Sequence, residues 1–444
     1  MLKQGERARL FPVLADTSRE NRLASIFLSV LPMVPTLSEE VLGSLGVRVG
    51  KRTRIETFTE VVFKESVDIR NRPDGLIVVS TGKNTWSALV EAKIGKNEID
   101  ADQVTRYLDL AKANKIDAVI TISNQFVARA DLPPVNLPKL VLRKAGLFHW
   151  SWTWLATQCE IIAHQNAVED AEQAFLVVEL LRLLRHPGTG VERFTQMPAS
   201  WKDVVQAVSN RERLKKTGPE IEATTAAWFS ELRDLSLQLS RLVGQSVATK
   251  IERRHLADPG ERTKAAAAEL VEGNVLSGAF SVPDSASDIE VAADLARKTI
   301  TVGMRIKAPQ DRKSTKARLN WLIRMLRSED PRLIIRAHWP GRKQPTQKEL
   351  NALRENPDLI DGDGSDAVPH SFEVLLVEAG AKRFGGRRTF IEDVERVVPE
   401  FYELVGQNLR SWQAPPPKPL KASSSADPLP DPETVEKVDE RSEN

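Results

Sequence analysis

Three charged residues interrupt two apolar segments near the start of the chain: Asp74 in Arg72-Pro73-Asp74-Gly75, and Glu91 and Lys93 in Leu89-Val90-Glu91-Ala92-Lys93. Strand side chains alternate in direction, so Glu91 and Lys93 leave one face while Val90 and Ala92 leave the other. An aspartate opening one strand, with a carboxylate and an ammonium closing the next, brings three charges to one end of a small sheet. Two carboxylates at such a place can hold a hard divalent cation.

The elements that must position these charges follow from periodicity. A helix begins near Thr17-Ser18, either of which can cap it, and Glu20 falls in its first turn, where the helix dipole favours an acid. Leu23, Ile26, Phe27, Val30 and Leu31 form its buried stripe, and Pro32 closes it. Thr53 to Lys64, Gly75 to Ser80 and Trp86 to Ile94 read as strands, with turn chemistry at Thr81-Gly82-Lys83-Asn84. Ile99 to Lys112 reads as a helix with Val104, Tyr107, Leu108 and Ala111 on one side. Asp117 to Asn124 is a buried strand. Leu140-Val141-Leu142 with Phe148-His149-Trp150 reads as another, before Trp152, Trp154 and Leu155. The fold class is therefore α/β, a mixed sheet flanked by helices.

Asp74 followed by Glu91-x-Lys93, on elements in this order, resembles the PD-(D/E)xK nuclease superfamily, whose core is restriction-endonuclease-like. Gln103 and Tyr107, four apart on one helical face, resemble the QxxxY element of its RecB-like branch. The likeness runs from Thr17 to Trp154. It implies a metal-dependent deoxyribonuclease using Mg2+, or Mn2+ in its place, with Asp74, Glu91 and the backbone carbonyl of Ala92 as ligands. Lys93 is implied beside the attacking water and the scissile phosphate, and Glu20 beside the metal. Gln103 and Tyr107 are implied to support the site and contact DNA, and RNA is left open as a substrate. Defence or repair is the setting that the family's usual employment implies. Taken singly, the same residues also suit plainer roles: Asp74-Gly75 as a turn, Glu91 and Lys93 as an exposed strand face, Glu20 as a dipole partner, Gln103 and Tyr107 as ordinary helix residues. The alternative function is a catalytically silent, nuclease-like module that binds nucleic acid or protein.

The 444 residues carry a formal net charge of +2, which permits nucleic-acid binding without demanding it. The expected organisation is a nuclease-like domain over 1–160, a helical extension or connector over 161–250, a C-terminal α+β domain over 251–412 and a disordered tail over 413–444. Within the connector, Ile221, Trp228, Leu235 and Leu242 recur at heptad spacing and predict a long helix packed on a partner within the chain. The C-terminal domain should select substrate, contact a partner or form a homodimer. Its final helix should run from Phe390 to Leu409, and Asn351 to Val368, with Gly362 and Gly364 among acids, should be an exposed loop. The single cysteine, Cys159, excludes an intrachain disulfide and a cysteine-cluster zinc site. His149 and His186 lack metal-ligand spacing and read as structural or solvated; Trp150, Trp152 and Trp154 read as packing residues on a strand. No apolar run spans a bilayer, so a cytoplasmic location without membrane contact is expected. Lys51 to Arg54, Arg211 to Lys216, Lys313 to Arg318, Arg342-Lys343 and Arg387-Arg388 would form a phosphate track if gathered on one side. Phe384-Gly385-Gly386-Arg387 lacks Walker-A spacing, which argues against ATP binding.

Overall fold

A computed structural model describes residues 2–8, 10, 19–63, 72–127, 129–135, 137–361 and 367–413. Thr17, Ser18, Gly362, Gly364 and the tail beyond 413 lie outside the described residues. The chain is mixed α/β and holds two sheets.

The first sheet has six strands in sequence order: β1 (Leu2–Arg7), β2 (Thr53–Phe63), β3 (Gly75–Thr81), β4 (Asn84–Ala92), β5 (Ala118–Ser123) and β6 (Gly146–Ser151). β1 to β4 pair antiparallel through adjacent registers; β4, β5 and β6 pair parallel, which makes the sheet mixed. The switch follows from connection length. Gly82-Lys83 joins β3 to β4 tightly, whereas the longer crossover from β4 to β5 carries α3 (Ala101–Ala113).

Alternation along β4 separates two cores. Val90 and Ala92 face α1 (Arg19–Val30), α2 (Pro35–Gly43), α5 (Trp152–His164) and α6 (Ala171–Arg185), where Phe27 sits edge-on to Trp150 and Trp152 at 6.1 Å. Leu89, with Leu76, Val119 and Leu147, faces Val104, Tyr107 and Leu108 of α3. Glu91 falls on this second face, one pleat beyond Leu89.

Several sequence expectations need correction. Leu140-Val141-Leu142 is not strand: Lys139–Leu142 is the short helix α4, and β6 begins only at Gly146. Trp152 and Trp154 are on a helix, because Ser151 caps it, its hydroxyl accepting from the Trp154 amide at 3.1 Å. All three tryptophans pack into the first core, Trp154 at its margin. β1 has no counterpart in the sequence reading. The first helix does close at Pro32: α1 ends at Val30, and the proline lies in a 3-10 turn, Leu31–Met33.

The second sheet is wholly antiparallel. Its strands are β7 (Ala248–Thr249), β8 (Val275–Ser281), β9 (Ile289–Asp294), β10 (Thr299–Lys307), β11 (Leu333–His338), β12 (Thr346–Glu349) and β13 (Ser371–Ala379), in the order 12-11-13-10-9-8-7. Its inner face, including Phe280, Val302, Ile335 and Val374, shares one core with α7 (Trp201–Ser209), α8 (Pro219–Val243), α11 (Thr315–Ile323), α12 (Leu350–Glu355) and α13 (Arg387–Phe401). α9 (Arg253–Ala257) and α10 (Pro259–Gly273) precede β8. The expected loop over 351–368 is thus helical across Leu350–Glu355, with a 3-10 turn at Pro357–Ile360. The last helix is shorter than expected; Pro399 lies inside it and a π turn, Tyr402–Gly406, follows. The long helix read from the heptads is α8. It buries Trp228, Leu232, Leu235 and Leu239 in the second core while another side packs on α5. Among the described residues no single helix is long and apolar enough to cross a membrane.

Candidate functional site

Register explains why Asp74 and Glu91 meet. Gly75 pairs with Val90 across β3 and β4, so one step further sets Asp74 opposite Glu91, where facing Cβ atoms lie about 5 Å apart. Asp74 is fixed by its neighbour strand: its Oδ2 accepts from the Ala92 amide at 2.8 Å. Ala92, expected through its carbonyl, thus also serves through its N–H. Lys93 lies just past β4, its amide donating to the Ile122 carbonyl at 2.7 Å and its own carbonyl accepting from the Trp152 indole at 2.8 Å. The lysine is therefore held by its backbone on both sides, and its ammonium returns to bond Glu91 Oε1.

α3 braces both halves of the motif. Asp100 caps the helix, accepting from the amides of Asp102 and Gln103 at 3.2 and 3.1 Å, which fixes where Gln103 leaves the first turn. Gln103 Nε2 donates to Glu91 Oε1 at 2.7 Å and to the Tyr107 hydroxyl at 3.2 Å; that hydroxyl donates to the Arg72 carbonyl at 3.1 Å. The Gln–Tyr pair thus ties Glu91 to the segment two residues ahead of Asp74. On the opposite side, Glu20 Oε1 accepts from the Ile94 amide at 3.2 Å and the Asn97 side chain at 2.7 Å, while Oε2 lies 4.0 Å from the Lys93 ammonium. All seven residues singled out from the sequence meet at one place: Glu20, Asp74, Glu91, Ala92, Lys93, Gln103 and Tyr107.

The electrostatics are unbalanced. Among the described residues, the carboxylates of Glu91, Asp74 and Glu20 surround the Lys93 ammonium. Glu91 is only 2 % exposed, and its Oε2 is buried with no hydrogen-bond partner among the described residues. Burial, followed by the Glu91 charge, pushes the Asp74 carboxyl up to about 8. Burial lowers the Lys93 ammonium, but Glu91, Asp74 and Glu20 together outweigh it, and the net shift is upward. Burial and the Glu91 charge likewise push the Tyr107 phenol well up, so it stays a hydrogen-bond donor.

An orphaned buried carboxylate oxygen beside an acid whose proton is held by burial and by the Glu91 charge fits a divalent cation. Among the described residues no group of three or more His, Cys, Asp or Glu side chains is gathered as a ligand set. The donor set offered here is two carboxylates, which suits Mg2+, an ion commonly held by one or two carboxylates together with water and substrate phosphate.

Sequence reasoning missed a strap. Residues 187–197 cross from the end of α6 to α7. Gly190, left-handed at φ 77°, offers its carbonyl to the Gly95 amide at 2.8 Å and to the Asn124 side chain at 2.7 Å. The Glu192 amide donates back to Asn124 Oδ1 at 3.1 Å. Arg193 reaches Asp234 on α8 at 3.1 Å and Glu395 on α13 at 3.0 Å, and the Met197 amide donates to the Arg387 carbonyl at 3.1 Å. The loop carrying Ile94, Gly95 and Asn97 is therefore tied to the second sheet's helices. Asn97 was also missed; its only sequence signal is turn chemistry after Gly95. His149, on the same sheet row as Glu91 through Thr121, is a structural residue: burial pushes it down to about 4, and its ring nitrogens bond Thr121 at 2.8 Å and the Gln125 carbonyl at 3.0 Å.

No protein-family model matches the chain, and no curated protein matches it.

Proposed function

We propose that the chain is a Mg2+-dependent nuclease of the PD-(D/E)xK type, hydrolysing phosphodiester bonds of DNA in the cytoplasm. The observation that carries this reading is the unpartnered, buried Glu91 Oε2 beside Asp74, with Lys93 clamped on the other oxygen of Glu91. The arrangement of β2 to β6, with α1 before it and α3 between β4 and β5, supports a restriction-endonuclease-like core.

Asp74 and Glu91 would hold the ion, with the Ala92 carbonyl as a third donor. When bound, the ion lowers the pKa of a coordinated water and neutralises phosphate charge. Lys93, whose ammonium the surrounding carboxylates favour, is suited to charge stabilisation at the phosphate and to orienting the attacking water; a proton held this firmly makes it a poor base. Gln103 keeps Glu91 in one orientation, and Tyr107 keeps the Asp74 segment against it. Glu20 holds the Ile94–Asn97 turn in place beside the lysine.

Purified full-length protein with Mg2+ should cut supercoiled plasmid or linear duplex DNA, and Asp74→Ala and Lys93→Ala should each abolish cutting. Cutting that survives both substitutions would sink the assignment. Tight DNA binding without Mg2+-dependent cutting would return the chain to the silent, nucleic-acid-binding module.

A further inference from the structure

A cavity of about 560 Å³ lies away from the Asp74–Glu91 pair, between the first sheet and α8. One wall comes from the end of α2 and the turn after it, another from Val127, Arg129, Ala130 and Asp131 and the junction of β6 with α5; Arg233 of α8 and Ser246 complete the lining. The volume falls within the range of small-molecule sites and is far too small for a duplex.

Arg233 is the anomaly. Its Nη1 donates to the Ser236 hydroxyl at 3.3 Å, and among the described residues no carboxylate pairs with it. Other arginines near this junction are neutralised: Arg193 by Asp234 and Glu395, Arg241 by Glu160 at 3.7 Å, and Arg129 at the cavity mouth by Asp131. Helical geometry explains the difference. Successive residues are rotated by about 100°, so Asp234 and Glu231 point towards α13, where Asp234 is committed to Arg193. Burial pushes the Arg233 guanidinium down to about 10, which leaves it charged at neutral pH. A half-buried positive charge with no counter-charge among the described residues, opening on a cavity, offers a place for an anion.

The remaining walls narrow the class. Trp154 lines the cavity with its ring stacked on Trp150 at 6.4 Å and 18°, and Phe148 adjoins it, so a planar group has an aromatic surface to meet. Glu39 and Glu40 stand exposed on the rim. They would repel a polynucleotide backbone, yet they can accept hydrogen bonds from amino groups on a base. A small ligand with one phosphate, able to pass the rim and set that phosphate on Arg233, meets far less of this repulsion than a polynucleotide does.

We propose that this cavity binds a nucleoside monophosphate, with its phosphate on Arg233 and its base against Trp154. The site is independent of the phosphodiester chemistry proposed above, and its test reads binding and not cleavage. Titration calorimetry on the full chain would use dAMP, AMP, inorganic phosphate and adenosine separately. Either nucleotide should bind once per chain, and more tightly than phosphate or adenosine. Losing the charge-assisted contacts in Arg233→Gln should weaken nucleotide binding about tenfold or more. Ser246→Trp keeps the arginine and blocks the mouth from an exposed position, and it should abolish binding; it also decides the matter if Arg233→Gln fails to fold. The proposal is overturned by no nucleotide binding at millimolar concentration, by binding that Ser246→Trp leaves intact, or by phosphate binding as tightly as the nucleotides.

Discussion

Adding a divalent cation to the cation-free protein should expel a proton from Asp74. Burial and the facing Glu91 charge push this carboxyl up to about 8, so at pH 7 about nine molecules in ten carry it protonated. A metal ligand must be deprotonated, and each ion bound at pH 7 should therefore release about 0.9 proton. The same linkage weakens apparent affinity about fifty-fold between pH 8 and pH 6. Titration calorimetry with Mg2+ or Mn2+, in two buffers of different ionisation enthalpy, counts the protons directly. Asp74→Asn keeps an oxygen able to accept from the Ala92 amide but has no proton to lose, so both the release and the pH dependence should vanish with most of the affinity. Tight binding with no proton released, or an affinity flat from pH 6 to pH 8, would refute the reasoning.

Burial pushes Glu395 up to about 7 from an ordinary 4.5, against the opposing charge of Arg193. Between those values the folded state holds more proton than the unfolded, so this group's stabilisation is complete below pH 4.5 and is lost as pH rises to 7. Glu395→Gln should remove about 1–2 kcal/mol of that decline, solvent screening of this partly exposed group taken into account, read as a flatter stability–pH profile in urea titrations; an unchanged slope would exclude Glu395 as its source. Gly190→Ala places a Cβ 3.3 Å from the Gly95 amide nitrogen in a left-handed conformation, costing about 1–2 kcal/mol, and should lower both the melting temperature and Mg2+-dependent cutting. Tyr107→Phe removes the hydroxyl between Gln103 and the Arg72 carbonyl. The expected loss is about 1 kcal/mol in urea unfolding, with Mg2+ affinity falling less than in Gln103→Ala.

What could be read in the sequence were departures from a pattern. Glu91 breaks a run of apolar residues, and Gln103 and Tyr107 share a face with the core of α3, so their types and spacing marked them. Elements whose existence depends on a distant partner were not visible. β1 is a strand because β2 lies beside it, with Leu2 paired to Phe63. Trp152 and Trp154 look like strand residues until the Ser151 hydroxyl captures the Trp154 amide and starts a helix. The strap depends on pairs such as Arg193 with Glu395, 202 positions apart, and the cavity brings Arg233 beside the end of α2; no local periodicity signals such contacts.

The strap also bears on how far the chain can be divided. A fragment ending with α6 would retain Asp74, Glu91 and Lys93 but would lose the Gly190 carbonyl from Gly95 and Asn124, and with it the outer support of the turn that Glu20 grips from within. Every motif residue would be present and the loop next to the lysine would lack its buttress. In the other direction, Arg193 joins α8 and α13 to the strap three residues from the Gly190 carbonyl that holds that same turn. Modularity stops here: the second sheet's helices are part of the mounting on which the lysine stands.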